Sequence, residues 1–191
     1  DINFGTYHAL VIGIDNYKHL RRLKTAVNDA RAVGNLLKTR YGFKVSSLIN
    51  PTRESILDRL DEYRAKLKYT DNLLIYYAGH GWLDEKTNTG YWQPVDAKKN
   101  LRSRWLSNAS ITDTLKASEA KHVMVVADSC FSGTLIRGIK IRERSPDYLN
   151  QIVQKKARTA LTSGGLEPVT DVGGGNHSVF AATFMRILNE N

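Results

Sequence analysis

Three segments of this chain, HALVIGI (residues 8–14), NLLIYYAG (72–79) and HVMVVAD (122–128), are strand-length runs in which apolar residues hardly alternate with polar ones. A strand with one wet face alternates; a continuous apolar run suits a strand covered on both faces, the situation of parallel sheets layered by helices. The intervening sequence supplies the helices. Val27, Ala30, Val33, Leu36 and Leu37 recur at helical spacing and end at Gly42, and Thr52 can cap a second helix whose inner face is Ile56, Leu57, Leu60, Tyr63 and Leu67. Between them FKVSSLI alternates, as expected of a strand near a sheet edge. A Gly-, Asn- and Thr-rich excursion ending near Pro94 precedes a short helix around Ile111 to Ala117, and beyond Gly133 come a long polar connection, a strand ARTALTS and a last helix carrying Val179, Phe180, Phe184, Ile187 and Leu188. The repeated strand–helix order predicts an α/β domain with a mostly parallel central sheet and helices on both faces, three layers in all.

At 191 residues the chain is sized for one domain with a substantial core. Its single cysteine, Cys130, cannot form an intramolecular disulfide, so the fold is independent of an oxidising compartment. No apolar run reaches the roughly 18 residues that cross a bilayer, and DINFGTYHALVIGID lacks the basic start and long apolar stretch of a signal peptide. The expectation is a cytoplasmic, membrane-free protein; because the chain opens on Asp1, it reads as a processed form or an excised domain. The formal charge of +9 would suit nucleic acid, yet the bases interleave with acids, as in RESILDRLDEYRAKLK, which argues against a nucleic-acid footprint. A zinc site is excluded on the same economy of ligands: one cysteine and no paired-histidine spacing.

Chemistry concentrates where two of the apolar strands stop. NLLIYYAGHG delivers His80 and HVMVVADSC delivers Cys130. In open α/β sheets ligands bind outside the carboxyl ends of the strands, so neighbouring strands would set these side chains against one another. A thiol, with a pKa of about 8.5, needs a base or a positive environment to attack at neutral pH, and histidine is its commonest partner. Gly79 and Gly81 flank His80 without side-chain bulk, so the Gly81 and Cys130 amides could together form an oxyanion hole for a tetrahedral intermediate.

YYAGHG followed by DSCFSG resembles the caspase-like cysteine peptidases, most closely their metacaspase and bacterial branches. His80 and Cys130 are fifty residues apart, which is that family's own signature spacing and not a deduction from strand geometry. The resemblance runs from ALVIGIDNY through NDARAVGNLL to LTSGGLEPVTD and HSVFAATF. It implies a caspase-like fold, with residues 1–135 similar to a large subunit, 136–156 a basic connection and 157–191 similar to a small subunit. It also implies a cysteine endopeptidase with Cys130 as nucleophile and His80 as acid and base. Animal caspases carry Gln-Ala-Cys where this chain has Asp128-Ser129-Cys130. In metacaspases and paracaspases, acids at the positions of Asp29 and Asp128, and in paracaspases one like Glu167, line the primary specificity pocket. Cleavage after arginine or lysine is therefore implied, a direction that partly desolvated carboxylates favour. Self-processing within 136–156, which offers Arg137, Lys140, Arg142, Arg144, Lys155 and Lys156, follows from the same reading. Some metacaspases need calcium; no dedicated calcium loop stands in this sequence. Regulatory domains or partner chains outside this segment are the remaining expectation.

Each residue also has a plainer reading. Free cysteine is often simple packing material, Asp128 could be a loop carboxylate, Asp29 a solvated first-turn acid, and His8, His19, His122 and His177 strand-end, loop or capping residues. Two other functions compete. An α/β-hydrolase would want glycines two positions either side of the nucleophile, where Asp128 and Ser132 stand, and His177 as its base. A catalytically silent scaffold would keep the fold for binding alone.

Overall fold

The computed structural model describes residues 5–129, 156–163 and 175–190. Among them five strands form the main sheet, β1 (Tyr7–Gly13), β2 (Lys44–Ile49), β3 (Asn72–Ala78), β7 (His122–Asp128) and β8 (Ala157–Thr162), in the order β2-β1-β3-β7-β8. Every pairing is parallel. The three apolar runs are the three central strands, and the alternating FKVSSLI lies at the edge, so the sheet order follows the burial demand written in each strand.

Alternate residues of the central strands serve two cores. Leu10, Ile12, Leu73, Ile75, Tyr77, Val123 and Val125 meet Ile56 and Leu60 of α2 (Arg53–Lys66) and Ile111 and Leu115 of α3 (Asn108–Lys116). Ala9, Val11, Leu74, Tyr76 and Val126 face Ala30, Val33 and Leu37 of α1 (Ala26–Tyr41) and Phe184 of α4 (Val179–Glu190). Helices therefore cover both faces, and a caspase-like three-layer α/β fold results. Thr52 caps α2 by accepting from the Ser55 N–H at 3.2 Å, and Gly42 ends α1 in the left-handed region with φ of 69°.

Three details differ from expectation. The excursion before Pro94 supplies two strands, β4 (Gly81–Asp84) and β5 (Thr89–Trp92), of a second sheet that β6 (Leu106–Ser107) completes, antiparallel throughout. Its strands are too short to show a period; the Asp84 carboxylate, accepting from the Lys86 and Thr87 amides, and Asn88 at φ 52° make the turn. On α4 the apolar stripe is only partly used: Phe184 is buried, whereas Val179 and Ile187 are about half exposed. On α2, Leu57 is half-buried and Leu67 stands just past the helix end.

Candidate active site

His80 follows the carboxyl end of β3 by two residues. The β3–β7 register sets Ala78 opposite Asp128, and the pairing continues past both strands, with the Gly79 N–H donating to the Asp128 carbonyl at 3.3 Å. The β3 turn and the chain leading to Cys130 thus leave the sheet side by side. Cys130 itself lies outside the described residues, as does Glu167.

The peptide of His80 is gripped from both sides. Its N–H donates to the Tyr17 hydroxyl at 2.7 Å, and its carbonyl accepts from the Tyr77 hydroxyl at 2.8 Å and from the Gln93 N–H at 3.0 Å. A Cβ at Gly79 would stand 2.8 Å from both phenol oxygens, so only glycine lets the two tyrosines close on this turn. Burial raises the Tyr17 pKa well above its ordinary value, which keeps the phenol a neutral partner. The Tyr17 ring lies against the imidazole, 4.6 Å between centroids, and Trp92 stacks on Tyr77 at 4.2 Å.

The imidazole has a defined tautomer. Its Nε2 is 2.7 Å from the carbonyl oxygen of Arg21, which can only accept, so Nε2 carries a proton and Nδ1 is left as the basic nitrogen. The Gly81 amide is oriented by the small sheet. The His80 carbonyl accepts the Gln93 N–H, and the trans peptide sends the Gly81 N–H the opposite way, away from β5.

On the other face of the sheet sits a buried acidic pair. Asp128 shares its side with Tyr76 and Val126 by strand alternation, and Asp29 comes from the first turn of α1. Both carboxylates are buried, Asp29 completely. Ser178, leading into α4, links them: its N–H donates to Asp29 Oδ2 at 3.2 Å, its hydroxyl donates to Asp128 Oδ2 at 2.5 Å and accepts from the Ala181 N–H at 2.9 Å. His177 Nδ1 lies 2.6 Å from Asp29 Oδ1. Beneath them the Tyr76 hydroxyl is fully buried with no hydrogen-bond partner among the described residues. Burial, with Asp128 and Asp29 nearby, raises its pKa well above the ordinary value.

Asp29 is thus not a solvated helix-start acid, and His177 is not a bystander. Sequence reasoning gave His177 only a strand-end, loop or capping role, or that of a hydrolase's base, and passed over Ser178, Tyr76 and Arg21. Strand parity could have placed Tyr76 beside Asp128; nothing local ties Ser178 or the Arg21 carbonyl to residues so distant in the chain. Asp15 accepts the Val27 N–H at 3.2 Å near the start of α1. Among the described residues no group of three histidine, cysteine or carboxylate side chains forms a metal-ligand set, and no helix is long and apolar enough to cross a membrane.

His80 after β3, Asp128 at the end of β7 and Asp29 in the first turn of α1 thus gather at the carboxyl edge of one parallel α/β sheet. The chain belongs to the caspase domain family of C14 peptidases, whose model matches residues 6–191. It is 27% identical to Metacaspase-1 of Eremothecium gossypii over 69% of this chain and 33% of that protein, and 28% identical to Metacaspase-8 of Arabidopsis thaliana over 69% of this chain and 38% of that protein. It is 37% identical to the human mucosa-associated lymphoid tissue lymphoma translocation protein 1 over 50% of this chain and 11% of that protein. The chain therefore spans a minor part of these relatives. In solved structures, the fold resembles protein GSU0716 of Geobacter sulfurreducens, with TM-score 0.70, 20% identity and coverage of 97% of this chain and 82% of the other. It also resembles Caspase-1 of Spodoptera frugiperda, with TM-score 0.63, 19% identity and coverage of 100% and 71%.

Proposed function

We propose that this domain is a cysteine endopeptidase that cuts peptide bonds after arginine or lysine, with Cys130 as nucleophile and His80 as acid and base. The observation that carries the specificity is the buried pair Asp29 and Asp128 over a Tyr76 hydroxyl that has no hydrogen-bond partner among the described residues. Two adjacent buried carboxylates are costly unless a cation arrives, and a guanidinium or ammonium is the fitting partner. Aspartate would meet like charge. Glu167 is assigned to the same pocket on resemblance alone.

In the reaction, Nδ1 of His80 takes the Cys130 proton while Nε2–H stays on the Arg21 carbonyl, which also steadies the imidazolium once formed. The thiolate attacks the carbonyl carbon of the basic residue itself, and the Gly81 and Cys130 amides receive the developing oxyanion. Nδ1–H then protonates the leaving amine, the C–N bond breaks, and a thioester remains; water, deprotonated by His80, releases the acid and restores the thiol. A cytoplasmic setting and processing of the 136–156 connection belong to this proposal, as does regulation by domains outside the segment.

Purified protein with fluorogenic peptides tests it. Arginyl and lysyl peptides are expected to be cut and aspartyl peptides not; Cys130→Ala and His80→Ala should each abolish turnover while circular dichroism stays native. More than a few per cent of activity in Cys130→Ala would sink the mechanism. Efficient cleavage after aspartate, or an Asp128→Ala protein indistinguishable from the parent, would sink the pocket. No turnover of any basic peptide would favour the silent scaffold.

A further inference from the structure

We propose that His177 is a specificity-determining gate: its imidazole occupies the Asp29 carboxylate in the free protein, and the substrate's basic side chain must displace it. The inference rests on the reading that Asp29 and Asp128 receive that side chain, and goes beyond it by saying what the pocket holds beforehand.

Each oxygen of Asp29 already has a hydrogen-bond partner. Oδ1 is 2.6 Å from His177 Nδ1 and Oδ2 accepts the Ser178 amide at 3.2 Å, and the side chain is 1% exposed. Its only ionic partner among the described residues is His177, whose own side chain is 26% exposed. The imidazole is therefore the solvent-facing member of the pair. An N–H donated to this carboxylate is the same interaction that a guanidinium or ammonium would make, so the two compete for one acceptor.

The surroundings let the imidazole leave without taking the wall with it. Asn28 Nδ2 donates to the Asn176 carbonyl at 2.9 Å, fixing the backbone before His177 to α1, and also lies 3.3 Å from Nδ1. Ser178 independently holds Asp29 Oδ2 and Asp128. A side-chain rotation at His177 thus frees Oδ1 while both carboxylates stay in register. The Tyr76 hydroxyl, buried and unpartnered among the described residues, adds an acceptor that the imidazole leaves unused and that a five-donor guanidinium can fill. A closed gate lowers apparent affinity by the fraction of molecules in which it is open.

The test is binding without turnover. Benzamidine, an amidinium probe, is titrated calorimetrically into the full chain carrying Cys130→Ala, alone and with His177→Ala, His177→Gln or Asp29→Asn. Binding about fivefold or more tighter with His177→Ala, intermediate with His177→Gln and lost with Asp29→Asn is expected. Equal or weaker binding with His177→Ala overturns the gate while leaving the pocket standing, provided that Asp29→Asn still abolishes binding. No saturable binding to any form overturns both. Nitrogen NMR of labelled histidine in the His177-containing protein is independent of mutant folding: the Nδ1 resonance should lose its carboxylate-bonded shift when benzamidine saturates, and an unchanged shift at saturation also overturns the gate.

Discussion

Tyr17 and Tyr77 act on His80 through its backbone, one accepting its N–H and the other donating to its carbonyl. Removing either hydroxyl deletes a hydrogen bond to this peptide, worth about 1 kcal/mol, although the carbonyl keeps the Gln93 N–H when Tyr77 is changed, and loosens the imidazole. Tyr17→Phe is expected to lower kcat about tenfold, with KM for an arginyl peptide within about twofold, because the tyrosine belongs to the core on the other face of the sheet from the acidic pair. Steady-state kinetics on the two variants, Tyr17→Phe and Tyr77→Phe, would expose the reverse pattern if the contact were incidental. A second residue speaks to stability. His8 is buried at the start of β1, edge-on to Tyr63; burial lowers its pKa, opposed by Asp71 and reinforced by Lys44 and Lys66. The unfolded chain then binds this proton more readily than the folded one, so His8 contributes nothing at high pH and destabilises the fold as pH falls through the unfolded value of about 6.5. Urea midpoints between pH 8 and pH 5 should decline less in His8→Gln than in the parent; parallel curves would remove His8 from the account.

The helix α3 ends against a single guanidinium at the element scale. Arg158, at the second position of β8, donates to the carbonyls of Leu115, Ser118, Ala120, Lys121 and Ala157 at 2.9 to 3.3 Å. That satisfies the orphan acceptors after the helix and ties it to the sheet edge. An ammonium cannot span five acceptors in one plane, so Arg158→Lys is expected to destabilise the protein by about 2 kcal/mol, read from denaturant midpoints at constant m. Such cross-chain devices mark the limit of what was legible beforehand. The central strands announced themselves because burial on both faces forces continuous apolar runs, and Thr52 and Gly42 marked helix ends by local chemistry. The strands β4 to β6 did not, since four residues hold too little of any period, and Arg158 reads as one base among many. At the site, His80 was legible from its glycines and its place behind a strand. Asp29 and Asp128 came from resemblance; their linkage through Ser178 depends on α4 packing beside α1, which no local pattern encodes.

The whole molecule divides its labour by sheet face. Tyr77, on the α2 and α3 side, serves the histidine; Tyr76, the next residue back, lies under the acids on the α1 and α4 side. Strand alternation alone sends these neighbours into different machinery. One further property follows from the order β2-β1-β3-β7-β8. The strands β7 and β8, which flank the 136–156 connection in sequence, are adjacent and aligned over six residue pairs, from His122 with Ala157 to Ala127 with Thr162, and α4 packs on α1. Residues 1–135 and 157–191, produced together as separate chains with a tag on one, are expected to copurify in equal amounts; recovery of the tagged piece alone would count against it. The peptide linkage between the two parts is then dispensable for cohesion, and a break within it would yield a heterodimer by scission, with no encounter between subunits required.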